Sequence, residues 1–413
     1  MASSSDFAFD SVTFSQLDRM ADSLALTLKK KGIGPGDRIA LLHPPCPEVA
    51  ALFFAAWRIG AAICPLNARL PPAQIEPYLQ RLKATLFIDA FPITNPLREK
   101  SNPLPYPATL LFTSGSTGTP KIAVLSRANL IANAQSAIKT FELNPRDRWL
   151  LNLPLYHVGG IGILLRCILA KATCCQNSLD PTITHLSAVP TQLYRATPVY
   201  KSLRCLLIGG APIQSYPKNL PCYLSYGLTE MGSVVTAALR PEDPRQTGMP
   251  LEGREIKITP SGEICVKGTC LFQGYWEDGQ IISPLDSEGW FATGDLGSYE
   301  ASGLSVLGRK DWQFISGGEN VQPEEIEREL LFLPHIVDAA VIPIPDPEFG
   351  QRPYAFIKAS APSVTPESIK TALRDKLPKF KIPTSYCFLD NLPKNGLKID
   401  RKTLIQMAKT NFH

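Results

Sequence analysis

The nine residues Thr113-Ser114-Gly115-Ser116-Thr117-Gly118-Thr119-Pro120-Lys121 combine five hydroxyls, two glycines and a lysine directly after the apolar run Leu110-Leu111-Phe112. Glycines let backbone N–H groups approach an anion closely, hydroxyls donate to its oxygens, and Lys121 adds a positive charge. The stretch reads as a phosphate-gripping loop whose expected guest is a nucleoside triphosphate. It is not a Walker loop: the glycine spacing differs, Pro120 precedes the lysine, and no serine or threonine follows it to hold magnesium. On composition alone, a Ser/Gly-rich surface turn stays open as the alternative.

Four later stretches carry further residues suited to the same chemistry. They are Ser225-Tyr226-Gly227-Leu228-Thr229-Glu230, Trp290-Phe291-Ala292-Thr293-Gly294-Asp295, Gly308-Arg309-Lys310-Asp311 continuing to Ile315-Ser316-Gly317-Gly318-Glu319, and Pro393-Lys394-Asn395-Gly396-Leu397-Lys398-Ile399-Asp400-Arg401. With the opening loop, and in this order, they resemble the acyl-adenylate-forming superfamily of acyl-CoA synthetases, luciferases and peptide-synthetase adenylation domains. The resemblance spans nearly the whole chain. It implies an AMP-forming acid–thiol ligase, in which a small-molecule carboxylic acid and ATP give an acyl-adenylate that coenzyme A converts to a thioester.

A carboxylate and the α-phosphate of ATP repel each other, so such a site must supply cations and oriented donors where charge builds up. By the resemblance, Thr113, Ser114, Gly115, Ser116, Thr117, Gly118 and Lys121 hold the β- and γ-phosphates and then pyrophosphate. Thr229 touches the α-phosphate, and Glu230 faces Mg2+, an ion that prefers hard oxygen. Tyr226, next to Gly227, stacks on adenine near the turn Gly209-Gly210-Ala211. Asp295 accepts both ribose hydroxyls, as a two-oxygen carboxylate can, and Arg309 assists.

The same resemblance gives Lys398 the charge developing between the acid and the α-phosphate. Leucine precedes it where the family usually has glycine, so Lys394 stands as the competing candidate. Asp311 matches the residue about which the C-terminal domain of relatives rotates. Gly317 and Gly318 would then leave room for the pantetheine arm of CoA.

The segments Leu153-Pro154-Leu155-Tyr156-His157-Val158-Gly159-Gly160 and Ser187-Ala188-Val189-Pro190-Thr191-Gln192-Leu193-Tyr194-Arg195 look most like those of o-succinylbenzoate–CoA ligases of menaquinone synthesis. That acid carries a second carboxylate, which needs a partner once desolvated. Arg195, on a helix expected after Pro190, would supply it; His157 would shape the acid site, and Gly160 would leave space beside it. A packed histidine and a surface arginine are the plain alternatives. At the level of function the alternatives are a ligase for another aryl or medium-chain acid, an adenylation enzyme loading a separate carrier, and a nucleotide-binding relative without activity.

These residues need a scaffold, and the chain alternates in a way that supplies one. Thr13-Phe14-Ser15-Gln16 suits a capping box, and Leu17, Met20, Ala21, Leu24, Ala25 and Leu28 recur at helical spacing up to Gly32. Residues 38–42 read as a strand, 48–58 as a helix and 61–66 as the next strand, with further strands at 84–88 and 109–112 and a helix at 129–140. Such alternation predicts a parallel sheet flanked by helices, with ligands at the carboxyl ends of strands. Residues 149–154 and 203–210 read as buried strands, and short strands with turn signals follow from Gly253 to Gly308. The expected fold class is α/β: a large N-terminal domain of flanked β-sheets (1–308, with a small β-subdomain at about 250–308), a hinge at 309–311, and a mobile α+β C-terminal domain at 312–413.

Composition agrees with a globular enzyme. Hydrophobic residues make up 44% of the 413 and charged ones 19%, and the net charge of +5 comes without a basic run longer than Lys29-Lys30-Lys31, so no nucleic-acid partner is expected. The ten cysteines lack a C-x-x-C pair and read as small buried hydrophobes in a reducing, cytoplasmic setting. The polar start lacks the build of a signal peptide, and the most apolar stretch, 49–66, is broken by Arg58, so no integral membrane segment is expected. A homo-oligomer is compatible with the sequence.

Overall fold

The structure, a computed structural model, describes residues 7–99, 104, 108–113, 120–195, 200–210, 213, 216–395 and 398–411; for Thr191, Tyr194, Arg195, Asn395, Lys398 and Asn411 it describes the backbone alone. The first helix, Phe14–Lys30, begins where the capping box predicts. Thr13 Oγ1 accepts from the Gln16 amide at 3.2 Å, and Gln16 Oε1 accepts from the Thr13 amide at 2.8 Å.

Two large sheets carry most of the chain. In the thirteen-stranded one, the strands Phe7–Phe9, Thr173–Cys175, Arg148–Leu150, His185–Ala188, Cys205–Ile208 and Cys222–Leu228 run parallel in that spatial order. Beyond Cys222–Leu228 the sheet turns antiparallel through Ser233–Leu239, Gln246–Pro250, Gly303–Arg309, Phe291–Glu300, Glu263–Gly268 and Arg254–Ile258. The short strands after residue 253 are thus joined to the parallel part by one continuous ladder. The exception is the hairpin Gly274–Glu277/Gln280–Ile282, which adds to the edge of the seven-stranded sheet beside Lys121–Ser126.

The alternation of side chains along each strand explains the layers. Ile39 and Leu41 face the main core, which also buries Leu52 and Phe53 of the helix Pro47–Arg58 and Ile161 and Leu164 of the helix Val158–Ala170. Ala40, Cys64, Leu110 and Val124 point to the opposite face, against Leu79 and Leu82 of the helix Pro72–Leu82. Full burial of each large apolar side chain contributes roughly 1.5–3 kcal/mol before entropy is counted, so the two helices held between the sheets fix their spacing. Eight of the ten cysteines are buried and none is bridged, in keeping with their use as small hydrophobes.

Residues from 314 on build their own core. The strands Ile336–Asp346, Gly350–Ala359 and Ser385–Phe388 form one sheet, covered on one face by the helices Pro323–Leu331 and Pro366–Leu373 and on the other by Arg401–Asn411. Among the described residues, no helix is long and apolar enough to cross a membrane.

Two sequence expectations need correction. The loop 113–121 does not lead from a strand into a helix; it closes an antiparallel pair, with Thr113 opposite Lys121 in the register of Ala108–Thr113 and Lys121–Ser126. The expected strand 149–154 stops at Leu150, because Pro154 lacks an amide hydrogen and the segment instead feeds the helix that starts at Val158.

Candidate active site

The parallel run of the large sheet places the glycine turn beside the tyrosine. Leu206, Leu207 and Ile208 pair with Cys222, Tyr223 and Leu224, so Gly209 and Gly210 emerge next to Ser225 and Tyr226. A Cβ on Gly209 would lie 2.6 Å from Ser225 Oγ, which donates to the Ile208 carbonyl at 3.0 Å. Gly227 is equally confined, since a Cβ there would stand 2.4 Å from the Ser233 carbonyl across a shift in register at Tyr226/Gly227. The strand continues past that irregularity to Leu228, where the single turn Thr229–Met231 begins, which carries Thr229 and half-buried Glu230. Ala211 and Ser114 to Gly118 lie outside the described residues.

Asp295 gathers two of the expected residues, Tyr226 and Arg309. Tyr226 Oη donates to its Oδ2 at 2.6 Å, and Arg309 Nη1 donates to its Oδ1 at 3.0 Å and to the Thr293 carbonyl at 2.9 Å. Each carboxylate oxygen has two acceptor positions, so each can accept one further hydroxyl donor. Burial, then the Asp295 carboxylate, push the Tyr226 phenol well above its ordinary range, so it remains a donor. Gly294 has φ +73, and a Cβ there would meet Arg309 Nη2 at 2.9 Å. Only glycine meets both demands, the left-handed backbone and the room for the guanidinium.

The joint is tied to this cluster. Arg309 Nη2 donates to Asp311 Oδ2 at 3.0 Å, so one guanidinium holds Asp295 and Asp311 together. Burial disfavours its charge, but Asp295 and Asp311 outweigh that and raise its pKa. Lys310 Nζ lies 2.7 Å from Glu263 Oε2, and Glu263 Oε1 accepts from the Gly294 amide at 3.1 Å. Thr293 lies within the stretch that carries Asp295, whereas Glu263 was not singled out by sequence reasoning, because nothing in its immediate neighbours marks it.

On the other side of the site, Tyr275 Oη donates to Glu230 Oε1 at 2.8 Å, and Lys121 Nζ stands 4.8 Å from the centre of the Tyr275 ring. Sequence reasoning missed Tyr275 as well; the only local signal is its place after Gly274, which has φ +136 and could not carry a Cβ beside the Ile282 carbonyl. Glu230 keeps Oε2 for an ion, and a carboxylate oxygen suits magnesium. A second acidic cluster, Asp10, Cys175 and Asp180, brings its candidate ligand atoms within 4.8 Å of one another. Arg148 Nη2 lies 2.6 Å from Asp10 and 2.7 Å from Asp180, so a guanidinium already takes the place of a cation there.

The expected acid-pocket segments meet through Asn152, whose Nδ2 donates to the Ser187 carbonyl at 2.7 Å. His157 is the exposed N-terminal cap residue of the helix Val158–Ala170, with its ring 4.6 Å from that of Tyr156. Gly160 is buried in the first turn; a Cβ there would come within 2.3 Å of the Pro154 carbonyl, so its absence is what lets helix and segment touch. Arg195 ends the short helix Pro190–Arg195, and its side chain lies outside the described atoms.

Lys394 and Lys398 sit on the paired strands Lys394–Asn395 and Lys398–Ile399. Lys394 Nζ is engaged with Asp338 at 2.7 Å, whereas the Lys398 side chain is not described. Gly317 and Gly318, with φ +59 and +88, form the two-residue turn of the hairpin Phe314–Ser316/Glu319–Val321, and that turn by itself accounts for both glycines.

The AMP-binding enzyme family matches residues 4–105 and 94–276, and the AMP-binding enzyme C-terminal domain matches 325–398. The 2-succinylbenzoate–CoA ligase of Salmonella typhimurium is 34% identical over 418 residues, covering 94% of this chain and 91% of that protein. Among solved structures, o-succinylbenzoate CoA synthetase (MenE) from Bacillus subtilis in complex with the acyl-adenylate intermediate OSB-AMP aligns with a TM-score of 0.83 at 27% identity, over 96% of this chain and 94% of the other. The same enzyme in complex with ATP and magnesium ion aligns with a TM-score of 0.81 at 27% identity, over 94% of each chain.

Proposed function

Because the chain belongs to the AMP-binding enzyme family, we propose that its site activates a carboxylic acid with ATP and passes it to coenzyme A, with 2-succinylbenzoate as the acid. The enzyme is an AMP-forming acid–CoA ligase. The observation that carries the reading is the convergence on Asp295: Tyr226 and Arg309 arrive from separate strands to hold a carboxylate ready for a diol, in a chain similar over nearly its full length to 2-succinylbenzoate–CoA ligases.

In the first step the acid's carboxylate oxygen attacks the α-phosphorus of ATP and pyrophosphate departs. Lys121 and the loop before it grip the leaving group, Thr229 faces the α-phosphate, Asp295 and Arg309 fix the ribose, and Tyr226 with Gly209 and Gly210 borders the adenine. Glu230 would hold Mg2+, which neutralises phosphate charge when bound. Lys398 meets the charge that develops between acid and phosphate; Lys394 is already paired with Asp338, which favours Lys398. In the second step the sulfur of CoA displaces AMP from the acyl carbonyl, past the Gly317-Gly318 turn. His157 and Gly160 shape the acid pocket, Arg195 pairs the second carboxylate, and Asp311 is the pivot between the two steps.

The test is to supply the purified protein with ATP, CoA and one of 2-succinylbenzoate, benzoate or octanoate, and to follow AMP. Turnover with 2-succinylbenzoate alone is expected. Turnover with the monoacids and none with 2-succinylbenzoate would remove that substrate.

A further inference from the structure

We infer that Tyr275 is a positioning residue that sets the Glu230 carboxylate and the Lys121 ammonium from one side chain, and so couples metal binding to phosphate binding. The inference rests on the roles given above to Glu230 and Lys121. Tyr275 lies on the strand Gly274–Glu277, opposite Ala123 of the strand Lys121–Ser126. Because strand side chains repeat every second residue, Lys121 shares a face with Ala123 and stands diagonally beside Tyr275, which is how its ammonium reaches the ring at 4.8 Å. The Phe272 amide donates to the Glu230 carbonyl at 2.8 Å, and the Gln273 amide to the Val124 carbonyl at 2.9 Å, so the approach to Tyr275 is pinned to both partners' backbones.

The two ends of the side chain then do different things. The hydroxyl pins Glu230 Oε1 and leaves Oε2 as the oxygen for an ion, lowering the entropy lost when the carboxylate engages it. Tyr275 is 8% exposed, and the Phe272 ring packs edge-on at 4.9 Å, so the phenol has no room to follow Glu230 elsewhere. The ring face gives the lysine a resting place near its working position. Among the described residues, no carboxylate has to be displaced from that place when phosphate arrives.

Tyr275→Phe keeps the ring and removes the hydroxyl; Tyr275→Leu removes both. ATP binding is measured by calorimetry at a series of magnesium concentrations, beside pyrophosphate release. For Tyr275→Phe the magnesium half-saturation rises about tenfold, the lower end of what losing an outer-shell partner costs, while ATP affinity without metal is unchanged. Tyr275→Leu weakens ATP binding without metal as well. Glu230→Gln is measured in parallel. If it shifts the magnesium dependence and Tyr275→Phe does not, the inference fails and the site reading stands. If Glu230→Gln leaves the dependence unshifted, the role of Glu230 fails and the inference falls with it. An equal loss of ATP affinity with and without metal in Tyr275→Phe, with a lowered melting temperature, marks a scaffold residue and also overturns the proposal.

Discussion

Asp295 shows how a carboxylate can be held and still keep acceptor capacity, as the proposed ribose contact requires. Its two oxygens each take one protein donor, Tyr226 Oη and Arg309 Nη1, and each keeps one acceptor position. The lysines divide by a similar count. Lys394 pairs with a partly exposed Asp338, an interaction worth at most about 1 kcal/mol, and its loss should leave turnover nearly intact. Lys398→Ala should slow pyrophosphate release about a hundredfold or more, the usual cost of removing one preorganised stabiliser of transition-state charge, while Lys394→Ala stays within a few-fold of the native rate. The reverse order in the same assay would exchange their roles. Lys121→Ala should slow adenylate formation far more than thioester formation from preformed acyl-adenylate, because pyrophosphate leaves in the first half-reaction only; equal slowing of both would deny the loop its grip on the leaving group.

At the scale of elements, one glycine decides how closely a helix approaches the segment before it, and one buried histidine ties a strand to pH. The helix Val158–Ala170 reaches the Leu153-Pro154 segment because Gly160 has no Cβ, so Gly160→Ala should lower the melting temperature and raise the KM for the acid while sparing that for ATP. An unchanged KM for the acid would separate this contact from the pocket. On the strand His185–Ala188, His185 is fully buried between the Thr184 hydroxyl at 2.9 Å and the Phe141 carbonyl at 3.3 Å. Burial lowers its pKa below the ordinary 6.5, and the Asp147 carboxylate 3.8 Å away offsets that only in part. Between the lowered value and 6.5 the unfolded chain binds more protons, so stability increases with pH through that window and is lost as pH falls through it, by at most about 1.4 kcal/mol per pH unit. Denaturant melts at pH 5.5 and 7.5 check this: His185→Phe should show a shallower difference than the native chain, and equal differences would sink the assignment.

For the molecule as a whole, the joint is where the two cores communicate. Gln322 Nε2 donates to the Arg309 carbonyl at 2.9 Å, and the Arg401 guanidinium stands 5.5 Å from the Trp312 ring while bonding Glu327 Oε2 at 2.9 Å and the Val341 carbonyl at 2.9 Å. Arg401 opens the helix Arg401–Asn411, which directly follows the strand Lys398–Ile399. Asp311 lies in the short turn Lys310–Trp312, whose backbone a proline tolerates in one arrangement and resists leaving. Asp311→Pro should therefore block one half-reaction and spare the other, while Asp311→Ala, which loses only the Arg309 contact, keeps both. Equal activity of Asp311→Pro in both halves would rule out rotation at this residue.

The sequence by itself determined the element types, the order of the motifs and the chemistry they could serve, because capping, apolar periodicity and turn glycines are local. The helix Phe14–Lys30 and the strands Arg38–Leu41, Ala62–Pro65, Leu86–Ile88 and Ala108–Thr113 were legible in that way, while Phe7–Phe9 and Val12–Thr13 were not. Only the tertiary structure decided that Thr113 faces Lys121 across an antiparallel pair, that most of the strands after residue 253 extend the thirteen-stranded sheet as antiparallel neighbours, and that Tyr275 and Glu263 belong beside the motifs. The reason is physical: strand pairing and a hydrogen bond between residues far apart in the chain depend on which surfaces packing brings together, and no neighbour in sequence carries that information. Tyr275 has an ordinary strand environment on either side of it, and only the ladder to Lys121–Ser126 sets it between Glu230 and Lys121.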